Sequence, residues 1–230
     1  MLTDPEIVGC AQQFAHCAYK GPFTPVNLRK MFTKALQIHW SDPAHHCAAT
    51  GPGLEGEGPD NPLACLIWEG HPDVKGGDHL ASNQITVAPD WTFDPDRPLQ
   101  GVYVGVGMGN PQKLGLDNFL RQSEDTAHVS RGHNMAATVR VRHIHRDADT
   151  ALNMATSSYT FFYLLREWVR DHPDFMAFEP IATDMIPKIV EKTPERHFQV
   201  DLSWSLVFTF RVAISLESHR IKKITQFLKG

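Results

Sequence analysis

The run Gly105-Val106-Gly107-Met108-Gly109-Asn110 follows alternating valines and has the composition of a turn that offers backbone N–H groups to a phosphate. A dinucleotide site needs its third glycine to open a helix, with an acidic residue about 20 positions further on. Pro111-Gln112-Lys113-Leu114-Gly115 follows instead, and no Gly-Lys-Ser or Gly-Lys-Thr phosphate loop occurs. The plainer expectation is a strand running into a loop. Thirteen histidines raise the question of a metal. His143 and His145, two apart on a strand, put both imidazoles on one face, and His45, His46, Cys47 and Cys65 bring four potential ligands into one loop region. Zinc sites need four ligands, or three plus water, at tight spacings. No pair of such pairs exists, and H-E-x-x-H, C-x-x-C and a calcium-loop pattern are absent. Nor is there a G-x-S-x-G elbow, and Asp94, Asp96, Glu124 and Asp125 cluster only as turn and loop residues. No catalytic residue, metal or cofactor is assigned, and the chain is expected not to be an enzyme. A metal- or nucleotide-binding enzyme built on the glycine run or on His143 and His145 is the alternative from another class.

Two groups of residues suggest binding. Arg140 and Arg142 share one strand face and could grip an acidic partner, although a solvated face is the plainer reading because isolated surface charges contribute little. Leu114, Leu116, Phe119 and Leu120 stand in an otherwise polar stretch, 107–132, read here as a loop of about 25 residues. Apolar side chains in such a loop mark a docking surface or fold back on the core. These six residues are the candidate partner interface.

The elements that must carry them follow from periodicity. Thr3 and Glu6 have capping-box spacing, and Ile7, Cys10, Ala11, Phe14 and Ala18 recur at helical intervals. After the break at Lys20 to Phe23, Thr24 and Pro25 restart a helix as N-cap and first residue. Leu28, Met31, Phe32, Ala35, Leu36 and His39 form its apolar stripe. Residues 1–40 are thus expected to form a helical hairpin. Residues 41–82, rich in Gly, Pro, His and Asp, read as an arm or insertion in which only Leu63 to Trp68 could form a short buried element.

Sheet pattern then takes over in a core domain spanning 83–217. Gln84 to Ala88 is a short strand, Asp94 to Pro98 a turn, and Gly101 to Gly107 a second strand with Val102, Val104 and Val106 on one face. From Thr138 to His145, Val139 and Val141 point one way and Arg140 and Arg142 the other, which describes an edge strand or one buried on a single face. Asp147 or Asp149 caps a helix reaching about His172, before Pro173. Ala148, Leu152, Ala155, Tyr159, Phe162 and Val169 lie on one side of it, with Leu165 and Trp168 flanking. Every even position from Phe198 to Leu216 is apolar, while the odd positions are mostly polar. Unbroken, that strand would be roughly 60 Å long at about 3.3 Å per residue. It either bends between two packing surfaces or runs past its own domain, as suits a subunit that packs against copies of itself. The tail, 218–230, is basic. The expected fold class is α+β: a mostly antiparallel sheet with a long packed helix, the N-terminal hairpin and long loops.

Composition bounds the function. In 230 residues, 42% apolar and 21% charged, there is enough apolar material for one large domain. A net charge of −4 argues against sequence-independent DNA binding. Four scattered cysteines do not make a disulfide framework. The first six residues carry acid where a secretory signal carries base, and no apolar run reaches bilayer-spanning length. A soluble intracellular chain with reduced thiols is expected.

The succession Arg97-Pro-Leu-Gln-Gly-Val-Tyr-Val-Gly-Val106, Arg131-Gly-His-Asn-Met-Ala-Ala-Thr-Val-Arg-Val-Arg142, the helix from Ala148 to Trp168 and Phe198-Gln-Val-Asp-Leu-Ser-Trp-Ser-Leu206 resembles tailed-bacteriophage tail-terminator and head–tail connector (neck) proteins. The resemblance covers roughly Gln84 to Glu217 and lies in order and pattern, with no catalytic residue to match. It implies a small virion structural protein, assembled in the host cytoplasm, that forms a homo-oligomeric ring, typically a hexamer. Such a ring caps the tail tube and joins it to neck and connector proteins, and DNA passes through without specific binding. No cofactor and no membrane are involved. The 41–82 segment and the very long closing strand depart from the pattern and leave another connector or a baseplate subunit as the alternative.

Overall fold

A computed structural model of the chain describes residues 24–42, 63, 66–68, 70, 84–93, 100–109, 112–113, 119–122, 128–171, 175–181, 185–190 and 196–215. The first helix of the expected hairpin, most of the 41–82 arm, the Asp94–Pro98 turn and the basic tail lie outside the described residues.

Two α-helices and nine strands are described: β1 (Ile67–Trp68), β2 (Gln84–Pro89), β3 (Gly101–Met108), β4 (Gln112–Lys113), β5 (Phe119–Gln122), β6 (His128–His145), β7 (Phe175–Pro180), β8 (Lys188–Ile189) and β9 (Phe198–Ser215), with α1 (Pro25–His39) and α2 (Ala148–Asp171). The strands join in the order β1-β2-β3-β6-β9-β7, with β4 and β5 also pairing β6 and β8 also pairing β9. Among the described residues pairing is parallel only between β1 and β2 and between β2 and β3. The fold is α+β.

Helix α1 begins where its sequence dictates. Thr24 is extended and its side chain accepts from the Asn27 N–H at 3.2 Å, while Pro25 occupies the first turn, where its missing N–H costs nothing. Its stripe of Leu28, Met31, Phe32, Ala35, Leu36 and His39 is buried against β2 and β3. Asp147 caps α2, its Oδ2 accepting from both the N–H and the hydroxyl of Thr150 at 2.8 Å. Those two bonds hold the Asp147 carboxyl below its ordinary pKa.

The buried stripe of α2 is rotated from the expected one. Ala151, Met154, Ala155, Phe162, Leu165 and Val169 are buried, together with Ser157 and Ser158, whereas Ala148, Leu152 and Tyr159 are only half-buried. The apolar count alone favours Leu152 and Tyr159; hydrogen bonds to buried histidines turn the two serines inward instead.

Both helices cover the same face of the sheet. Val102 and Val104, Val139 and Val141, and Leu202, Trp204, Leu206 and Phe208 face them. The centre is aromatic: Phe178 stacks on Trp204 at 4.8 Å and on Phe32 at 5.3 Å, and Phe162 meets Trp204 edge-on at 5.7 Å. Ring pairs in these geometries add about 0.5–1.5 kcal/mol beyond burial.

The closing strand β9 spans Phe198 to Ser215 and pairs β6 at all 18 positions, from His128↔Ser215 to His145↔Phe198. An equally long partner is the physical reason it persists, and β6 is therefore central, not an edge. The stretch read as a loop, 107–132, is corrected on the same ground. The first five residues of β6 lie within it, and β4 and β5, also within it, pair the start of β6 at 129–134, so Phe119 and Leu120 are strand residues, with Phe119 opposite Arg131.

Candidate interaction surface

The face of the sheet away from the helices has two zones. At one end Tyr103, Ile144 and Val190 form a small second core with Ala88 and Phe93 against it. A 3-10 turn, Asp90–Thr92, follows β2 and brings Phe93 edge-on to Tyr103 at 5.1 Å. Arg142, paired in register with Tyr103 on one side and Asp201 on the other, lies along this cluster. Its guanidinium is 3.5 Å from Asp90 Oδ1 and 3.6 Å from Asp201 Oδ1, and sits 5.0 Å from the centre of the Phe93 ring. Gln199 donates to the other oxygen of Asp201 at 2.7 Å. Two carboxylates and an aromatic face thus neutralise and cover Arg142, leaving its side chain 21% exposed.

Two residues earlier the surface opens. Arg140 is exposed, opposite Gly105 on β3 and Ser203 on β9, and next to it Thr138 faces Gly107 and Ser205. A Cβ on Gly107 would meet no atom within 4 Å, so the floor there is backbone with open space above it. Arg140 has no ion-pair partner among the described residues. The two arginines of the expected grip therefore part: Arg142 is consumed by the fold, and Arg140 is presented to solvent. Leu114 and Leu116 lie outside the described residues. Phe119 and Leu120 are placed as backbone on β5, beside the half of β6 that runs past β3.

The residues with catalytic potential are engaged in the core. His143 is fully buried. Its Nδ1 faces the Val200 carbonyl at 3.3 Å and its Nε2 the Ser158 hydroxyl at 2.8 Å, an arrangement met when Nδ1 donates and Nε2 accepts. Burial pushes its pKa from 6.5 down to about 3, against a smaller upward pull from the Val200 carbonyl. His39 makes the matching contact, Nε2 to the Ser157 hydroxyl at 2.9 Å, and stacks on Phe161 at 4.5 Å. Adjacent serines on α2 thus each hold one histidine, from α1 and from β6. Both pairs are sealed from solvent and satisfy polar groups inside the core. The consecutive serines in a helix otherwise rich in alanine and aromatics were the signal for them. His145 is spent differently, its Nδ1 accepting from the Asp147 N–H at 3.0 Å, and burial lowers its pKa. Among the described residues no three His, Cys, Asp or Glu side chains converge as metal ligands. The glycine run is strand to Met108, and the Gly109 N–H donates to the Ala136 carbonyl at 2.7 Å, so these glycines extend the β3–β6 pairing.

No protein-family model matches the chain, and no curated protein is similar to it in sequence. No helix among the described residues is long and apolar enough to cross a membrane.

Proposed function

We propose that this chain is a virion structural protein of a tailed bacteriophage, a tail terminator whose copies form a ring, six in number, between the tail tube and the neck. The observation that carries the reading is the β6–β9 pair. Two strands of 18 residues pair end to end, and β3, which flanks β6 over 137–144, leaves the half at 128–134 to the short strands β4 and β5. On the other side β7 ends its pairing at Phe208, so residues 209–215 of β9 pair β6 alone among the described residues and leave a backbone edge for a neighbouring subunit. The order of elements adds support: β3 ends beside Gly109, β6 contains Gly132 and His133, α2 follows, and β9 closes. These are the pieces of the resemblance, and β3, β6 and β9 are neighbours in the sheet.

The role requires interface geometry and no catalysis or cofactor. Each subunit contact in such a ring is expected to bury on the order of 1,200–2,000 Å². Native mass spectrometry and negative-stain imaging test it, on the purified chain alone and mixed with tail-tube protein. A closed six-copy ring in either sample is expected. A chain that stays monomeric in both, and is missing from virions by peptide mass spectrometry, overturns the proposal. A ring that binds connector or baseplate protein in preference to the tube moves the chain to the alternative position in the particle.

A further inference from the structure

Large apolar side chains are exposed at two opposite edges of the sheet. At the β2 edge, beyond the two residues of β2 that β1 pairs, are Val26 of α1, 47% exposed, and Trp91 of the 3-10 turn, 71% exposed. At the far edge are Met176 on β7 and Ile181, Ile186 and Ile189 on and beside β7 and β8, between 39% and 60% exposed. The strand order separates β2 from β7 by β3, β6 and β9, roughly 19 Å at about 4.8 Å per strand. They are two patches on one subunit, not one.

Their charges differ. Helix α1 carries Arg29, Lys30 and Lys34 and no carboxylate, and the Arg29 guanidinium lies 5.8 Å from the centre of the Trp91 ring. The far edge interleaves the carboxylates Glu167, Asp171 and Glu179 with Arg166, Lys188 and Arg196; Arg166 is 3.0 Å from Glu179, and Arg196 lies 4.9 Å from the centre of the Phe198 ring. A like-with-like contact at the β2 edge would set cations against cations, whereas the opposite edge offers both apolar surface and carboxylates. Unlike patches that fit each other generate a head-to-tail contact, which closes into a ring or continues as a filament.

We infer that the Val26–Trp91 edge of one copy docks against the Met176–Ile189 edge of a second copy of this chain. The inference specifies the subunit contact of the proposed ring and rests on that reading for closure only. Trp91 is the anchor, because large aromatic residues dominate the energy of such interfaces.

The test is complementation between two variants, Trp91→Glu and the double variant Ile186→Glu with Ile189→Glu. All three sites are exposed, and unchanged circular dichroism and melting temperature check that both proteins fold. Each variant alone is expected to be monomeric where the unmodified protein associates, its dissociation constant raised at least about 100-fold, the loss of a hot spot. An equimolar mixture is expected to yield a one-to-one pair that grows no further, since it holds one intact edge of each kind. As a second measurement that leaves the fold untouched, a photo-crosslinker at position 189 is expected to capture a peptide containing Trp91 from another copy. Capture of the Met176–Ile189 region by itself, no capture, or unimpaired association of Trp91→Glu overturns the inference. Rings that form on tail tubes despite both variants leave the terminator reading standing without this contact. Variants that complement while the chain neither closes into rings nor enters virions leave the contact standing without the terminator.

Discussion

The two faces of the sheet are made by the same strands and do opposite things. Toward the helices, β9 presents Val200, Leu202, Trp204, Leu206 and Phe208, all buried; on the other side it presents Asp201, Ser203, Ser205 and Val207, all half-buried. In β6 the contrast is between Val139, Val141 and His143 on one face and Thr138, Arg140 and Arg142 on the other. A period of two lets one strand hold the fold together with one set of side chains while leaving the other set free of that duty. Stability is concentrated on the helix face, and the helix-free face and the sheet edges are where the sequence is free to serve contacts.

The sharpest way to break that contrast is to truncate both faces. Phe162→Ala, which removes a ring touching Phe32, Phe178 and Trp204, is expected to cost about 3–5 kcal/mol in urea denaturation. Ser203→Ala, on the open face, is expected to change stability by less than about 0.5 kcal/mol. Equal losses from the two would mean that the open face is packed in solution by something that stabilises the fold.

Acidification probes the polar part of the covered face. The pKa of His143 is lower in the folded chain than its ordinary 6.5, so the unfolded chain binds more protons between pH 6.5 and about 3. Its contribution to stability is therefore complete above pH 6.5 and falls as the pH drops toward the folded value, by about 1.4 kcal/mol per pH unit at most. Between pH 6.5 and roughly pH 4 the protein is expected to lose on the order of 3 kcal/mol through this group. His143→Gln, compared across the same range by denaturation, is expected to be less stable at neutral pH and to show a visibly flatter slope. Parallel slopes would mean that the His143–Ser158 contact opens readily to water.

Legibility in the sequence follows the same division. Alternation and capping residues locate β3, β9 and both described helices, because burial on one face and the first turn of a helix leave local traces. What they do not carry is pairing. That β6 continues back to His128, that Ser157 and Ser158 turn inward to meet His39 and His143, and that Asp90 and Asp201 claim Arg142 all depend on residues distant in the chain. The arginines illustrate this best: two residues apart, on one face and of one type, they have opposite fates, decided by the turn after β2 and by β9, which bring Asp90, Phe93 and Asp201 to Arg142 and no ion-pair partner among the described residues to Arg140.

Two glycines of β3 sharpen the comparison at the level of a single methyl group. A Cβ on Gly101 would lie 2.3 Å from the Thr86 carbonyl oxygen, inside the parallel β2–β3 pair. Gly101→Ala must push those strands apart and is expected to cost about 2–3 kcal/mol. Gly107→Ala, with nothing within 4 Å, is expected to be neutral or to stabilise by about 0.5 kcal/mol, since it also restricts the unfolded chain. Thermal melts of the two variants separate these outcomes, and a marked loss from Gly107→Ala would show that the floor beside Arg140 is occupied.

The smallest expected difference is that between the two arginines. Arg142→Ala removes a half-buried guanidinium held by two carboxylates and leaves Asp90 and Asp201 facing each other's charge across the gap. Its cost is expected to be about 1 kcal/mol, since both carboxylates are partly exposed and water screens what remains. Arg140→Ala, whose guanidinium has no ion-pair partner among the described residues, is expected to move stability by less than about 0.5 kcal/mol. If Arg140 serves contacts outside the subunit, its replacement lowers association with partners at unchanged melting temperature, whereas Arg142→Ala lowers both together. The two readouts, melting temperature and the dissociation constant of the assembled particle, thus separate a residue that the fold uses from one that it presents.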